Sequence, residues 1–492
     1  MVYTNTCLMS ITSSKISSMP ITSAPTSQGT GGKGGILLIN LPYSHGEAAA
    51  PPLGLAYVAA AIERTGTRVS LLDAHALGMA EQAIVSRVRE EAPEAVGLSV
   101  MSSMFATASR LTRALASLPD RPLVIWGGPH PTVCPEESIS RGGADLVVIG
   151  EGEMTAAELL PRLREGPAGW RSISGLAFAY GGKVERTKRR ALIADLDSLP
   201  FPAHHLLPME RYTTLHTGTK RFFNVLTSRG CPGKCIFCSR HVFGRTTRCR
   251  STGNVLAEIE MLLSDYRIEE VCVIDDTFTE DRQKVLRLCE EIVRRHLVFP
   301  WRLSNGVRVD TIDDALLRAM RAAGCYEIAF GVESGDDDVL RKIGKEITTA
   351  QITATFEAAK RAGMDTIGFF IIGHPFDTVE TMRETIDFAI RLDPTYAQFT
   401  MSTPLPGTAL WDWVERHGTS LFGGDVTRLN FLGGSPHFET QHFTGKDAAA
   451  MYRLAYRRFY LRPRYLWKKL RSLRSLNDVI VGIRGLRYLR RI

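Results

Sequence analysis

No run of eighteen or more apolar residues occurs in the 492-residue chain, which argues against a membrane-spanning helix. Cysteine is sparse: nine residues without regular pairing argue against a disulfide framework and for a reducing compartment, here the cytoplasm. Acidic residues are almost missing from the end of the sequence. Residues 451–492 hold thirteen Lys/Arg and one acid, Asp478, a local charge of +12. The rest therefore carries −4 of the +8 total, and a slightly acidic body argues against nucleic-acid binding. Residues 1–34 lack a compact apolar stretch and are rich in Ser, Thr and Gly, so they are expected to be a disordered leader and not a secretory signal.

What remains is the composition of a globular protein, 44% apolar and 23% charged, long enough for two or three domains. Its most specific stretch is Thr227-Ser-Arg-Gly-Cys-Pro-Gly-Lys-Cys-Ile-Phe-Cys-Ser239. Cys231, Cys235 and Cys238 form a C-x3-C-x2-C triplet on the loop after an apolar run, Phe222 to Leu226, that reads as a strand. Three soft thiolates on one short loop can hold three irons of a 4Fe–4S cluster and leave the fourth open to a small molecule. A zinc site would want four ligands, and there is no second C-x2-C pair; Cys249 is the nearest spare cysteine. Chance spacing is the remaining alternative.

The triplet, with Phe237 before its last cysteine, resembles the radical S-adenosylmethionine (radical SAM) enzymes. The Ser-Arg-Gly-Cys-Pro wording is similar to the cobalamin-dependent branch, the one carrying an N-terminal cobalamin-binding domain. The resemblance runs from about residue 35 to 465. It implies that the open iron chelates the amino and carboxylate groups of SAM, and that reduction of the cluster cleaves SAM to a 5′-deoxyadenosyl radical. It implies three cofactors: a 4Fe–4S cluster bound by Cys231, Cys235 and Cys238, S-adenosyl-L-methionine, and cobalamin.

Between residues 35 and 164, short apolar strands alternate with helical patterns, which predicts a doubly wound parallel sheet of Rossmann-like type. Ligands of such sheets bind beyond the carboxyl ends of the strands. Those ends are Asn40-Leu-Pro-Tyr43, Ser99-Val-Met-Ser-Ser103, Gly127-Gly-Pro-His-Pro-Thr132 and Gly150-Glu-Gly-Glu153. Turn chemistry alone accounts for each. In order, with Pro51-Pro-Leu-Gly54, they resemble the cobalamin domain of this branch. The resemblance implies Ser99, Ser102, Gly127, Gly128 and Glu151 as cobalamin contacts, with ligand loops drawn from that sheet and not from the barrel. Asp73-Ala-His-Ala-Leu-Gly78 matches the D-x-H-x-x-G pattern of other cobalamin proteins, but it follows the second strand and not the first. His75 is read as a polar loop residue and His130 as a weaker candidate still, so cobalamin is expected without a histidine on cobalt.

Residues 165–220 read as a connector, with a hairpin turning at Gly181-Gly182 and a Pro-stiffened bridge, Asp195 to Pro202. From 221 to 409, six strand–helix units predict a partial (βα)6 TIM-like barrel, whose chemistry sits at the strand C-termini. By resemblance, Asp276 after strand two, Glu333 and Ser334 in Gly331-Val-Glu-Ser-Gly335, Gly373 after strand five, and Phe237 are SAM contacts. The plain readings beside these are an acidic turn at Asp275-Asp276 and a helix N-cap at Ser334. Cys272, Cys289 and Cys325 read as packing, and Cys134 is undecided.

Residues 410–492 form the C-terminal region. To about Thr444 it reads as irregular and Gly-rich, and from Asp447 to Leu489 as a basic helical tail. That tail is a helix pair packed on the barrel with a solvated charged face, or else a peripheral contact with an anionic membrane. The branch implies a cobalamin-dependent radical SAM methyltransferase acting on an unactivated carbon of a small molecule, with a flavodoxin or ferredoxin as reductant and no nucleic-acid partner. A specialised metabolite is the preferred substrate. Cyclisation or rearrangement without methyl transfer, in a tetrapyrrole or lipid pathway, is the alternative.

Overall fold

The computed structural model describes residues 34–43, 49–213, 221–429 and 434–472. The expected leader up to residue 33 and the tail beyond 472 lie outside the described residues.

The first sheet begins with five parallel strands: β1 (Ile36–Asn40), β2 (Val69–Asp73), β3 (Ala95–Ser99), β4 (Leu123–Gly127) and β5 (Leu146–Val148). β1 is buried along its whole length, which is why it reads as an unbroken apolar run and not as an alternating one. The order is β2-β1-β3-β4-β5, so the winding reverses between β1 and β3. Helices α1 (Leu53–Glu63), α2 (Glu81–Glu91), α3 (Phe105–Ala116), α4 (Pro129–Val133), α5 (Pro135–Ser140), α6 (Glu153–Leu159) and α7 (Gly166–Trp170) follow or flank these strands. The hairpin β6 (Leu176–Tyr180) and β7 (Lys183–Arg186) extends the sheet, β6 pairing antiparallel with β5. Its turn glycines, Gly181 and Gly182, both have positive φ, as a two-residue hairpin turn requires.

The second sheet runs β8 (Phe222–Val225), β11 (Glu270–Val273), β12 (Trp301–Val307), β13 (Cys325–Glu333), β14 (Asp365–Ile372) and β15 (Tyr396–Met401), all parallel and in sequence order. No pairing joins β15 back to β8 among the described residues, so the barrel is open. The short antiparallel pair β9 (Ser228–Arg229) and β10 (Arg248–Cys249) frames the cysteine loop. The outer helices are α8 (Thr252–Ser264), α9 (Arg282–Arg294), α10 (Asp314–Ala322), α11 (Asp337–Lys342), α12 (Thr349–Arg361), α13 (Val379–Leu392) and α14 (Ala409–His417). Each is capped by a Ser, Thr or Asp side chain that accepts a free backbone N–H.

Two expectations are corrected here. The cap of α11 is Asp336, which accepts from Val339 N, and not Ser334. Ser334 still lies at the end of β13, two residues short of the helix, and its Oγ accepts from Asp336 N. The stretch after Thr408 is not irregular from the start. α14 begins there because Thr408 caps it and because Leu410 and Val414, four residues apart, share a buried face. The short pair β16 (Thr419–Ser420) and β17 (Phe438–Glu439) follows, then α15 (Gly445–Tyr460) and α16 (Pro463–Ser472). α15 packs on the barrel: the hydroxyl of Tyr456 donates to Phe399 O and that of Tyr460 to Ala397 O.

The two sheets are joined through α1. Its Leu53, Ala56 and Tyr57 share a core cluster with Phe222 and Phe223 of β8, while Leu55, Ala59 and Ile62 pack into the first sheet's core. A helix enclosed on both sides has no polar stripe to show, which accounts for its nearly all-apolar sequence. Among the described residues no helix is long and apolar enough to cross a membrane.

Candidate functional site at the junction of the two sheets

The cysteine loop is fixed at both ends and in its middle. Gly230 N donates to Asp276 Oδ2, Ile236 N to Ile343 O, and Leu410 N to Ile236 O. Gly230 has φ +92°, and a Cβ there would lie 2.3 Å from Thr246 O, so only glycine fits. Asp275 accepts from Thr227 N, Thr227 Oγ1 and Ser228 Oγ at 2.5–2.6 Å and thereby holds the strand that leads into the loop. Cys231, Cys235 and Cys238 are free thiols, half-buried or buried. The Cys235 thiol is drawn below the usual thiol range, chiefly by a hydrogen bond from Cys238 and further by the Lys345 ammonium. Burial pushes the Cys231 thiol up, and the hydrogen bond to Cys235, with burial, does the same to Cys238, so one sulfur of the three is thiolate-prone beside the Lys345 cation. Three sulfurs on one short loop suit an iron–sulfur centre, whose binding displaces the remaining thiol protons.

Beside it, Lys345 is buried and pairs with Glu333 Oε1 at 3.0 Å. Glu333 stands at φ +69°, a strained conformation for a residue with a side chain, and its Oε2 lacks a hydrogen-bond partner. Strain of this kind persists where the surroundings over-determine it, often at ligand sites. Ser334 is buried against Thr385. Gly373, at φ +78°, lies by Phe443 and Ala448 of the C-terminal region.

A cavity of about 490 Å³ opens between the C-terminal ends of the two sheets. From the first sheet Ser99, Ser102, Gly127, Gly128 and Glu151 line it, and from the barrel side Phe237 and Asp276. Glu333, Ser334 and Gly373 are not in its wall. The cavity wall is thus drawn from both sheets and not from the first alone. Asn224, Arg229, Ile274, Gln398 and Thr403 of the barrel also face the space, because α1 packs the two strand-end surfaces against each other. Gly128, at φ +98°, brings its backbone against Ser99 and Val100, where a Cβ would lie 3.1 Å from each. The cavity sits at the β1/β3 reversal, the place where doubly wound sheets bind ligands.

His75 is absent from the cavity wall; its Nδ1 accepts from Tyr43 N, and its ring stands edge-on to Tyr43. Asp73 accepts from Asn40 and from the buried Tyr212 hydroxyl, so the D-x-H-x-x-G match is a strand-end anchor. His130 does line the cavity.

Sequence reasoning missed the charge cluster that joins the two halves. Arg229, 2% exposed, donates to Glu151 Oε1 at 2.9 Å and to Glu153 Oε1 at 2.6 Å, and lies between the rings of Tyr57 and Phe243. Arg248 donates to Glu151 as well, and Ile193 N donates to Glu151 Oε2. Glu151 therefore lines the cavity with both oxygens already engaged. The signals were present, Arg229 beside the cysteines and Glu151 and Glu153 at a strand end, but nothing in their spacing pairs them.

His374 is fully buried next to Phe237, and burial pulls its pKa down to about 3, with Lys345 acting in the same direction. The unfolded imidazole titrates near pH 6.5. Between about pH 3 and 6.5 the unfolded chain binds the extra proton, so stability is complete above that window and falls as pH drops through it. The expected slope from this one group is about 1.4 kcal/mol per pH unit. His374→Gln should flatten the loss of stability between pH 6.5 and 5.0 by about 2 kcal/mol, read from urea unfolding of the cofactor-free chain. An unchanged slope would show that His374 is protonated in the fold.

A doubly wound sheet and an open barrel, with a three-cysteine loop and a glycine-lined cavity at their junction, define an α/β protein with a metal-binding loop beside a ligand-sized cavity. The comparisons with known proteins agree. The B12 binding domain model matches residues 45–160 and the Radical SAM superfamily model residues 225–389. An uncharacterized methyltransferase of Pyrococcus horikoshii is 35% identical over 422 residues, 85% of this chain and 90% of that protein. The anaerobic magnesium-protoporphyrin IX monomethyl ester cyclase of Rubrivivax gelatinosus is 28% identical, covering 85% of this chain and 75% of its own length. The structure of the radical S-adenosylmethionine methyltransferase TsrM from Kitasatospora setae, with cobalamin and a [4Fe-4S] cluster bound, superposes with a TM-score of 0.65 at 22% identity, covering 77% of this chain and 78% of that one. The chain belongs to the cobalamin-binding radical SAM family and is a cobalamin-dependent radical SAM enzyme whose cofactors are a 4Fe–4S cluster, SAM and cobalamin.

Proposed function

We propose that the enzyme transfers a methyl group to an unactivated carbon of a specialised metabolite. The observation that carries this reading is the shared cavity: Phe237 and Asp276 of the cysteine-loop side and Ser99, Ser102, Gly127 and Gly128 of the sheet side face one space. When bound, the cluster and SAM supply a carbon radical, and cobalamin supplies the methyl group. The rest falls to the chain. Cys231, Cys235 and Cys238 hold the cluster. Lys345 and Glu333, a buried cation and a carboxylate with one free oxygen, are suited to the carboxylate and ammonium of SAM, with Ser334 and Gly373 shaping the surrounding backbone. Phe237 offers a ring face. The mostly apolar cavity wall keeps water from a reactive carbon centre. A second reading, ring closure without methyl transfer, is supported by the likeness to a cyclase. With reconstituted protein, SAM and a strong reductant, the first reading expects 5′-deoxyadenosine, S-adenosylhomocysteine and a methylated product. Deoxyadenosine alone with a closed ring supports the second.

The same reading takes residues 35–164 as the cobalamin-binding domain, 165–220 as connector, 221–409 as the radical SAM barrel and 410–492 as the C-terminal region. It places the enzyme in a reducing compartment with a flavodoxin- or ferredoxin-type reductant. In α16 the exposed Leu466, Trp467 and Leu470 stand beside Arg464, Lys468 and Arg471, a pattern that supports contact with an anionic membrane surface. Co-sedimentation with anionic but not zwitterionic vesicles is the expected result; equal binding to both, or to neither, rejects it.

A further inference from the structure

We propose that His130, Cys134 and Glu137 form a binding site for one divalent cation of the zinc class. The three residues are spaced four and three apart across α4 and α5, and one ligand atom from each lies within 4.8 Å of the others. The imidazole is 1% exposed, and its Nε2 has no hydrogen-bond partner. That nitrogen points at Glu137, 3.8 Å from Oε2. A buried ring nitrogen left without a partner is costly, and a cation among these donors removes that cost. The ring is not free to turn away: Phe105 stands edge-on to it at 4.9 Å, and Nδ1 meets Ser102 Oγ at 3.2 Å.

The donor set selects the metal. One thiolate, one imidazole and one carboxylate suit a borderline-soft ion such as zinc, and the sulfur disfavours magnesium and calcium. Cys134 and Glu137 are only partly buried, so a fourth position remains open to water. Thiolate and carboxylate together neutralise the cation, and the nearby Arg141, paired with Glu137, retains a ligand carboxylate to share.

A metal on Nε2 also fixes the tautomer of the ring. Nδ1 then carries the proton and donates to Ser102 Oγ, which turns the serine O–H outward to donate into the cavity. This consequence rests on the reading of Ser102 as a cobalamin contact; the metal site itself does not.

The test is zinc binding by the full chain with its 4Fe–4S cluster in place, after chelator treatment to remove adventitious metal. One tightly held equivalent is expected. Cys134→Ser and Glu137→Gln should each raise the zinc dissociation constant by at least about tenfold while iron content stays the same. Absence of a stoichiometric zinc in the cluster-loaded protein would overturn the site. So would zinc that survives both variants but disappears when Cys231, Cys235 and Cys238 are replaced, since it would then be bound at the cysteine loop. Ser102→Ala separates the two readings. It should retain zinc and weaken cobalamin binding; unchanged cobalamin with retained zinc would reject the role of Ser102 and leave the metal site standing.

Discussion

Replacing Cys231, Cys235 and Cys238 together by Ala is expected to abolish iron–sulfur absorbance and all cleavage of SAM, while cobalamin remains bound. Without the three thiolates too few soft ligands remain on the loop to hold a cluster. The cavity that would receive cobalamin is not lined by these side chains, although Arg229, Phe237, Ser239, Arg240, Val242 and Phe243 around them reach it. The loop backbone is independently held by Gly230, Ile236 and their partners, so its path should survive loss of the thiols. The converse variant is Gly127→Leu. A Cβ at Gly127 meets only Val148, at 3.8 Å, so a larger side chain projects into the cavity without straining the backbone. It should lose cobalamin and retain the cluster. Iron and cobalamin content of the two purified variants check both halves. Loss of both cofactors from either folded variant would mean that the two sites cannot be separated.

Arg229→Ala is expected to have the largest effect on stability. It strands Glu151 and Glu153 in a buried place with one guanidinium fewer, and removing one partner of a buried ion pair costs about 3–5 kcal/mol. The effect should reach both halves of the protein, because Arg229 leads directly into the cysteine loop while its partners close the cavity from the first sheet. Arg229→Lys keeps the charge but loses the fork that reaches two carboxylates, so an intermediate loss follows. Arg229→Met combined with Glu153→Gln should be less damaging than Arg229→Met alone, since a stranded charge is removed as well. Urea unfolding of the cofactor-free chains measures the series. If Arg229→Ala unfolds at the same urea concentration as the parent, the cluster does not hold the halves together.

Local chemistry was legible in the sequence wherever it repeats along the chain. The strand runs of both sheets, the turn at Gly181-Gly182 and the three cysteines depend on neighbours a few residues away, and the structure has them at those positions. The cap of α11 was misplaced by two residues because Ser334 and Asp336 are both able caps, and only the end of β13 decides between them. α14 was hidden by Pro404, Pro406 and Gly407 just before it, a stretch that reads as a loop.

Three things were decided by tertiary structure alone. The first is the shared cavity, which exists because α1 buries one face against each sheet and so brings two sets of strand ends together. The second is the pairing of Arg229 with Glu151 and Glu153, more than seventy residues apart in the chain. The third is the exclusion of His75 and inclusion of His130 in the cavity wall. By itself the sequence determined which segments are strands, which loop carries the thiolates and where the basic tail lies, since periodicity, ligand spacing and charge act locally. Which distant side chains meet is set by how two packed surfaces dock, and that packing has no period along the chain to be read.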